Sequence, residues 1–280
     1  MENIKKFRLK KFIIIGLVGL LVLFLAWQGF KQPALQGDWQ TQLAVPSTAE
    51  FIGNQVIVHN VRNFRYGPKE ADMQPAYYDK SYDLTQIKQV WYVAEPFNEN
   101  KFAAHTFLSF EFNNGDFLAI TIEARKTKSQ TYSVWKGMLR TYPLIYLAAD
   151  ERDVVLLRAN LRKDNVYIYP VKFSRAENSK LLLVSMLKKM NDLLVHPNWY
   201  NTFWANCTSS IVNHINQLSP GRISMFSWQL WLTASADKLA LKNGLLDTNL
   251  SLEEARAKYF ITEKSLQAGD VPNYSTLIRQ

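Results

Sequence analysis

HTFLSFEF (residues 105–112), NNG (113–115) and DFLAITIEAR (116–125) form the stretch from which the fold is read. Two apolar/polar alternating runs flank a short loop that ends in glycine, the signature of a β-hairpin. Leu108, Phe110 and Phe112 make one apolar face, and Leu118, Ile120 and Ile122 make another. For both to lie on one buried side, paired positions must sum to an even number, because a one-residue slip turns a strand over. A three-residue loop pairs Phe112 with Asp116, satisfies that parity, and sets His105 opposite Glu123. These two then share the other face with Ser109, Glu111 and Thr121. A five-residue loop would instead set His105 opposite Arg125. A histidine facing a carboxylate is a base with its orienting group, and equally an ordinary cross-strand pair on a half-exposed sheet.

Further along, WYNTFWANCTSSIVNH (residues 199–214) contains the only cysteine, Cys207. Asn206, Thr208, Ser209 and Ser210 are residue types of a helix start, and Ile211, Ile215 and Leu218 follow at helical spacing. The spacing predicts a helix that begins at Cys207, where outward-pointing N–H groups lower a thiol pKa. Catalytic candidates are therefore Cys207 as nucleophile, His105 as base and Glu123 as its orienter. The Cys207 N–H with Asn206 would hold an oxyanion, and Ser109 would stand behind His105. This reading expects a sulfur–imidazole hydrogen bond, slightly loose before substrate binds. The alternative is a buried, inert cysteine.

The remaining chain is mixed. Strands are expected within residues 44–66, 90–94 and 164–171, and an amphipathic helix over 178–194 that ends at His196 before Pro197. Residues 77–84, YYDKSYDL, read as either a groove lining or a hydrogen-bonded loop, and 126–136 as a loop. Helices are also expected over 234–245 and, behind Ser251 with Glu254, over 252–259. His59 reads as a strand histidine and His196 as a helix cap. There is no phosphate-cradling glycine loop, metal-spaced histidine pair or Gly-x-Ser-x-Gly elbow, so no cofactor or metal is expected.

The N-terminus sets the location. Five basic residues against Glu2 precede residues 12–27, all apolar or glycine, and the run to Phe30 admits only Gln28. At about 1.5 Å per residue it is long enough to cross roughly 30 Å of hydrocarbon. The basic flank places the N-terminus in the cytoplasm, and the following sequence lacks a clear pair of small residues for cleavage, which favours an anchor over a cleaved signal. The expected order is a cytoplasmic tail (1–11), a transmembrane anchor in the inner membrane (12–30), a linker (31–38) and a periplasmic catalytic domain (39–280). The net charge of +9 favours adhesion to an anionic membrane, and the topology argues against nucleic acid as a partner.

A strand histidine, strand carboxylate and helix-start cysteine, in that order, resemble the circularly permuted papain-like cysteine hydrolases and acyltransferases. That likeness implies an α+β fold with an antiparallel sheet packed on the nucleophile helix. The blocks VRNFRY (61–66), YYDKSYDL (77–84), AHTFLSF (104–110), IEARK (122–126), ERD (151–153), LRAN (157–160), NVYIYP (165–170) and NCT (206–208) are similar to the Lnb N-terminal periplasmic domain family. Its namesake moves an acyl chain within a bacterial lipoprotein, from glyceryl group to N-terminal amine. The resemblance implies acyl transfer at His105 and Cys207 on a membrane lipid or lipoprotein substrate. The namesake has further spanning segments, whereas this chain carries one. A cell-wall peptidase or amidase, and a non-catalytic envelope module, are the competing readings.

Overall fold

The computed structural model describes residues 2–69, 72–98 and 100–280. One helix, α1 (Glu2–Phe30), carries the apolar run, and its segment Lys10–Phe30 is long and apolar enough to cross a membrane. The rest is built on one eight-stranded sheet with helices on both faces.

The strands are β1 (Thr48–Ile52), β2 (Gln55–Arg62), β3 (Tyr77–Asp83), β4 (Ile87–Phe97), β5 (Asn100–Phe112), β6 (Phe117–Ala124), β7 (Leu144–Ala149) and β8 (Tyr167–Pro170). They lie in the order β1-β2-β7-β6-β5-β4-β8, with β3 on β2. All pairings are antiparallel except a single parallel contact of Arg62 with Ala149. The tyrosine tract at 77–84 is thus a strand: Tyr82 faces the core while Tyr78 and Lys80 pair along β2. β7 was not expected as a strand. All six of its residues are buried, so it shows no alternation.

The hairpin has the register argued from parity. Phe107 pairs with Thr121 and Phe110 with Leu118, and the Phe112 N–H donates to the Asp116 carbonyl. Gly115 closes the loop at φ +85°, a conformation that costs glycine little.

The helices pack as two layers. On one face, α4 (Glu177–Val195) and α5 (Cys207–Leu218) bury Leu182, Met186, Leu187 and Ile211 against Leu108, Phe110, Ile120 and Ile122. On the other, α3 (Glu151–Leu156) runs into a π-turn, Leu157–Leu161, and meets α8 (Thr262–Ala268) and α9 (Tyr274–Leu277). Here Phe107 packs with Val154, Val155 and Ile261. Two helix starts follow their sequence signals: Asn206 and Ser209 form a capping box on α5, and Ser251 and Glu254 form one on α7 (Leu252–Tyr259). The expected helix at 234–245 is shorter, as α6 (Ala236–Lys242).

Candidate active site

Cys207 is the first residue of α5. Ser209 N–H bonds the Asn206 carboxamide oxygen at 2.8 Å, while the Asn206 amide donates to the carbonyls of Thr202 at 2.7 Å and Leu230 at 2.8 Å. Asn206 therefore spends its side-chain donors on holding the helix start. The Cys207 sulfur lies 3.9 Å from the Ala104 carbonyl and 4.0 Å from the Thr208 hydroxyl. Thr208 in turn meets the Thr106 hydroxyl at 3.0 Å.

These contacts follow from a parting of the sheet. The β5–β6 ladder ends at Phe107 and Thr121. Upstream of that point, Ala104 N–H donates to the Thr233 hydroxyl at 2.7 Å, which donates back to the Ala104 carbonyl at 2.9 Å. Thr233 and Cys207 take the backbone groups that β6 leaves unpaired.

His105 projects from the same segment to the opposite face, where its ring stacks on Phe107 at 6.0 Å. Its Nε2 is 2.8 Å from the Thr121 hydroxyl and 3.2 Å from Glu123 Oε1. Thr121 donates to Glu123 at 2.8 Å, so Nε2 acts as the donor to Thr121 when the ring is neutral. Arg158, within the π-turn, reaches Glu123 at 3.2 Å and Glu95 at 2.5 Å. Ser109, on the same face, is fully buried and its hydroxyl has no partner.

The expected sulfur–imidazole hydrogen bond is not formed. Parity alone places His105 with Glu123, but which face the cysteine helix covers depends on long-range packing. α5 sits on the apolar face because Ile211 and its neighbours need that surface, while the imidazole occupies the charged one.

The electrostatics differ from expectation too. Burial pushes the Cys207 thiol up, and repulsion from Glu123 adds to this, outweighing the bonds from Thr106 and Thr208. A helix start thus fails to activate a thiol taken out of water with no cation beside it. Burial also drives His105 down to about 3, against the pull of Glu123. Glu123 itself is raised by burial, yet His105, Arg158 and the Thr121 hydroxyl hold it below the usual carboxylate range. Glu95 is pushed up to about 7 by burial, opposed by Arg158 and Arg162. The resting site therefore holds a neutral thiol, a neutral imidazole and an ionised Glu123.

Other histidines have ordinary roles. His59 bonds Asp79 at 2.7 Å on the strand surface, and His196 caps α4 with Asp192 at 2.9 Å. His214 was not anticipated: it is buried between the Tyr146 hydroxyl at 3.0 Å and Ser185 at 2.7 Å. Among the described residues, no group of three His, Cys, Asp or Glu side chains gathers at metal-binding spacing. An apolar cavity of about 80 Å³ begins beside Thr208 and Leu108 and follows α5 to Leu218.

A mixed α+β domain follows one N-terminal apolar helix, an arrangement that fits a single-pass membrane protein. The model of the Lnb N-terminal periplasmic domain matches residues 73–234, more than half of the chain, and the protein belongs to that family. No curated protein and no solved structure matches the chain.

Proposed function

We propose that the protein is a thiol-dependent acyl-transfer enzyme with a permuted papain-like core. It is held in the inner membrane by α1, with its N-terminus in the cytoplasm and its domain in the periplasm. One observation supports the reading: the Cys207 sulfur lies 3.9 Å from the carbonyl of Ala104, the residue before His105, and the His105 ring lies 3.2 Å from Glu123. On this reading the nucleophile and its base flank one parted strand edge from opposite faces of the sheet. Family membership and the apolar cavity beside Thr208 support an acyl substrate, from a membrane lipid or lipoprotein.

In this scheme substrate entry widens the gap between β5 and β6, and the His105 ring leaves Thr121 and turns into it. The imidazole takes the Cys207 proton, and the thiolate attacks the ester carbonyl with its new oxyanion at the Cys207 N–H. The carbon–oxygen bond breaks, the leaving alkoxide takes the proton from the imidazolium, and an acyl-thioester remains. An amine or water then attacks that carbonyl, giving its proton to His105, and the thiolate leaves and is reprotonated. Glu123 keeps the ring oriented and stabilises its charged form.

Incubating the full chain with envelope lipid extract and mass-analysing Cys207 tests the scheme. The expected result is a hydroxylamine-labile acyl adduct on Cys207 that is absent from Cys207→Ala and strongly reduced in His105→Gln. An unmodified Cys207 in every extract, with no change in lipids or peptidoglycan fragments between wild-type and Cys207→Ala cells, would overturn it. That result would favour the second reading, a non-catalytic envelope module, which the unpaired and buried thiol supports. A change confined to peptidoglycan fragments would point to a cell-wall peptidase or amidase.

A further inference from the structure

Immediately before Cys207, the chain exposes a group of aromatic rings. Trp204 meets Phe226 at 6.2 Å and Trp231 at 5.6 Å, and Phe203 meets Trp231 at 5.8 Å. Phe226 is 78% exposed, and Trp228 and Leu232 beside it are also open to solvent. Contiguous apolar surface of this kind marks an interaction site.

The surface extends to α2 (Val134–Met138), where Trp135 is 73% exposed. Thr202 joins the two parts: its hydroxyl donates to the Val134 carbonyl at 3.0 Å and its N–H to Gly137. The approach is so close that a Cβ on Gly137 would come within 2.3 Å of the Thr202 hydroxyl. Beyond α2, the Arg140 guanidinium bonds the last carbonyls of α1, Gln28 at 2.6 Å and Gly29 at 3.1 Å. The aromatic segment is therefore tied through α2 to the C-terminal end of the apolar helix.

Charge points the same way. No Asp or Glu occurs in residues 124–149 or 193–236, which hold Lys136, Arg140 and Arg222 among other basic residues. Tryptophan with flanking basic residues and no carboxylates suits the headgroup zone of an anionic bilayer.

We propose that this surface, centred on Trp204, Phe226, Trp231 and Trp135, rests in the interface of the bilayer that α1 crosses. The domain then has two membrane contacts, the spanning helix and an aromatic footing three residues from Cys207. The inference stands without any catalytic role for Cys207.

Single-cysteine versions of the full chain, made in a Cys207→Ala background, test it. Phe226→Cys, Trp135→Cys and Ile52→Cys would each carry an environment-sensitive fluorophore. They would be reconstituted in phosphatidylethanolamine/phosphatidylglycerol nanodiscs with and without doxyl-labelled lipid. Ile52 is 54% exposed on β1, at the far edge of the sheet, and serves as the control. Positions 226 and 135 should shift to blue emission and be quenched roughly twofold by doxyl lipid, with position 52 unchanged. Emission at 226 and 135 as water-like and unquenched as at 52 would overturn the proposal. So would protection from water without lipid quenching, which would assign the surface to a protein partner or a second copy.

Discussion

The two faces of the sheet solve the same packing problem with different chemistry. Under α4 and α5 the interior is aliphatic and aromatic, with Leu182, Met186, Leu187, Phe110 and Ile120 all buried. Under α3 the interior carries charge. Arg62 holds Asp153 through two bonds of 3.0 and 2.9 Å, Arg158 bridges Glu95 and Glu123, and Arg279 meets Glu151 at 2.6 Å. Asp153 also accepts from Phe64 N–H and the Tyr66 hydroxyl. Hydrophobic contacts tolerate approximate fit, whereas buried ion pairs demand a fixed geometry and become expensive once one partner is lost. The apolar face supplies cohesion, and the charged face fixes the orientation of the strand ends from which His105 and Glu123 project.

The largest effect should come from breaking the charged face at one point. Asp153→Ala strands the Arg62 guanidinium in the interior and should cost about 3–5 kcal/mol in urea unfolding. A cost within about 1 kcal/mol of zero would mean that Arg62 finds other partners, and the contrast between the faces would weaken. On the apolar face, Met186→Ala leaves a cavity and should cost about 2–4 kcal/mol, with little change in any pH profile.

The pH dependence of stability separates the faces more finely. His105 falls from an ordinary value of 6.5 to about 3 and His214 to about 4, so the unfolded chain binds their protons first as pH drops. Each histidine's contribution is complete above about 6.5 and is lost toward its folded value, at a slope of up to about 1.4 kcal/mol per pH unit. Glu95, raised from 4.5 to about 7, works in the opposite sense, since the unfolded chain releases its proton first and stability falls as pH rises through that range. Between pH 6.5 and 4.5 the loss from these three groups together on acidification should be about that of one histidine. Melting temperature against pH checks this, and Glu95→Gln should steepen the loss toward that of two. An unchanged slope in that variant would remove Glu95 from the account.

The smallest effect concerns Ser109, whose buried hydroxyl lacks a partner. Ser109→Ala should be neutral or stabilising by up to about 1 kcal/mol. A clear loss would reveal a polar role for Ser109 behind His105.

Much of the frame was legible in the sequence because local chemistry decides it. The hairpin register follows from alternation and a three-residue loop, and the start of α5 follows from Asn206 and Ser209. Residues 144–149 carry no strand signal because strands buried on both faces do not alternate, and residues 77–83 carry an ambiguous one because tyrosines alternating with charges suit loops as well as strands. The face of the sheet that α5 covers was also out of reach. Pairing His105 with Glu123 is a local matter, but setting Cys207 above or below them depends on where Ile211 and Leu187 find apolar surface. The raised thiol pKa has the same origin: helix position is written in the sequence, and burial is not.

Arg140 adopts a left-handed backbone, φ +48°, unusual for a side chain of its size, while its guanidinium grips the final carbonyls of α1. Trp199 adds a bond to the Lys31 carbonyl at 3.3 Å. The end of α1 is therefore tied to the domain by side-chain bonds as well as by the chain that follows it. If α1 spans the bilayer, these bonds keep the domain close to its surface. On the proposed acyl-transfer reading, selection would then begin before any chemistry, because bonds presented near the membrane come within reach first, and soluble molecules of identical composition would pass by.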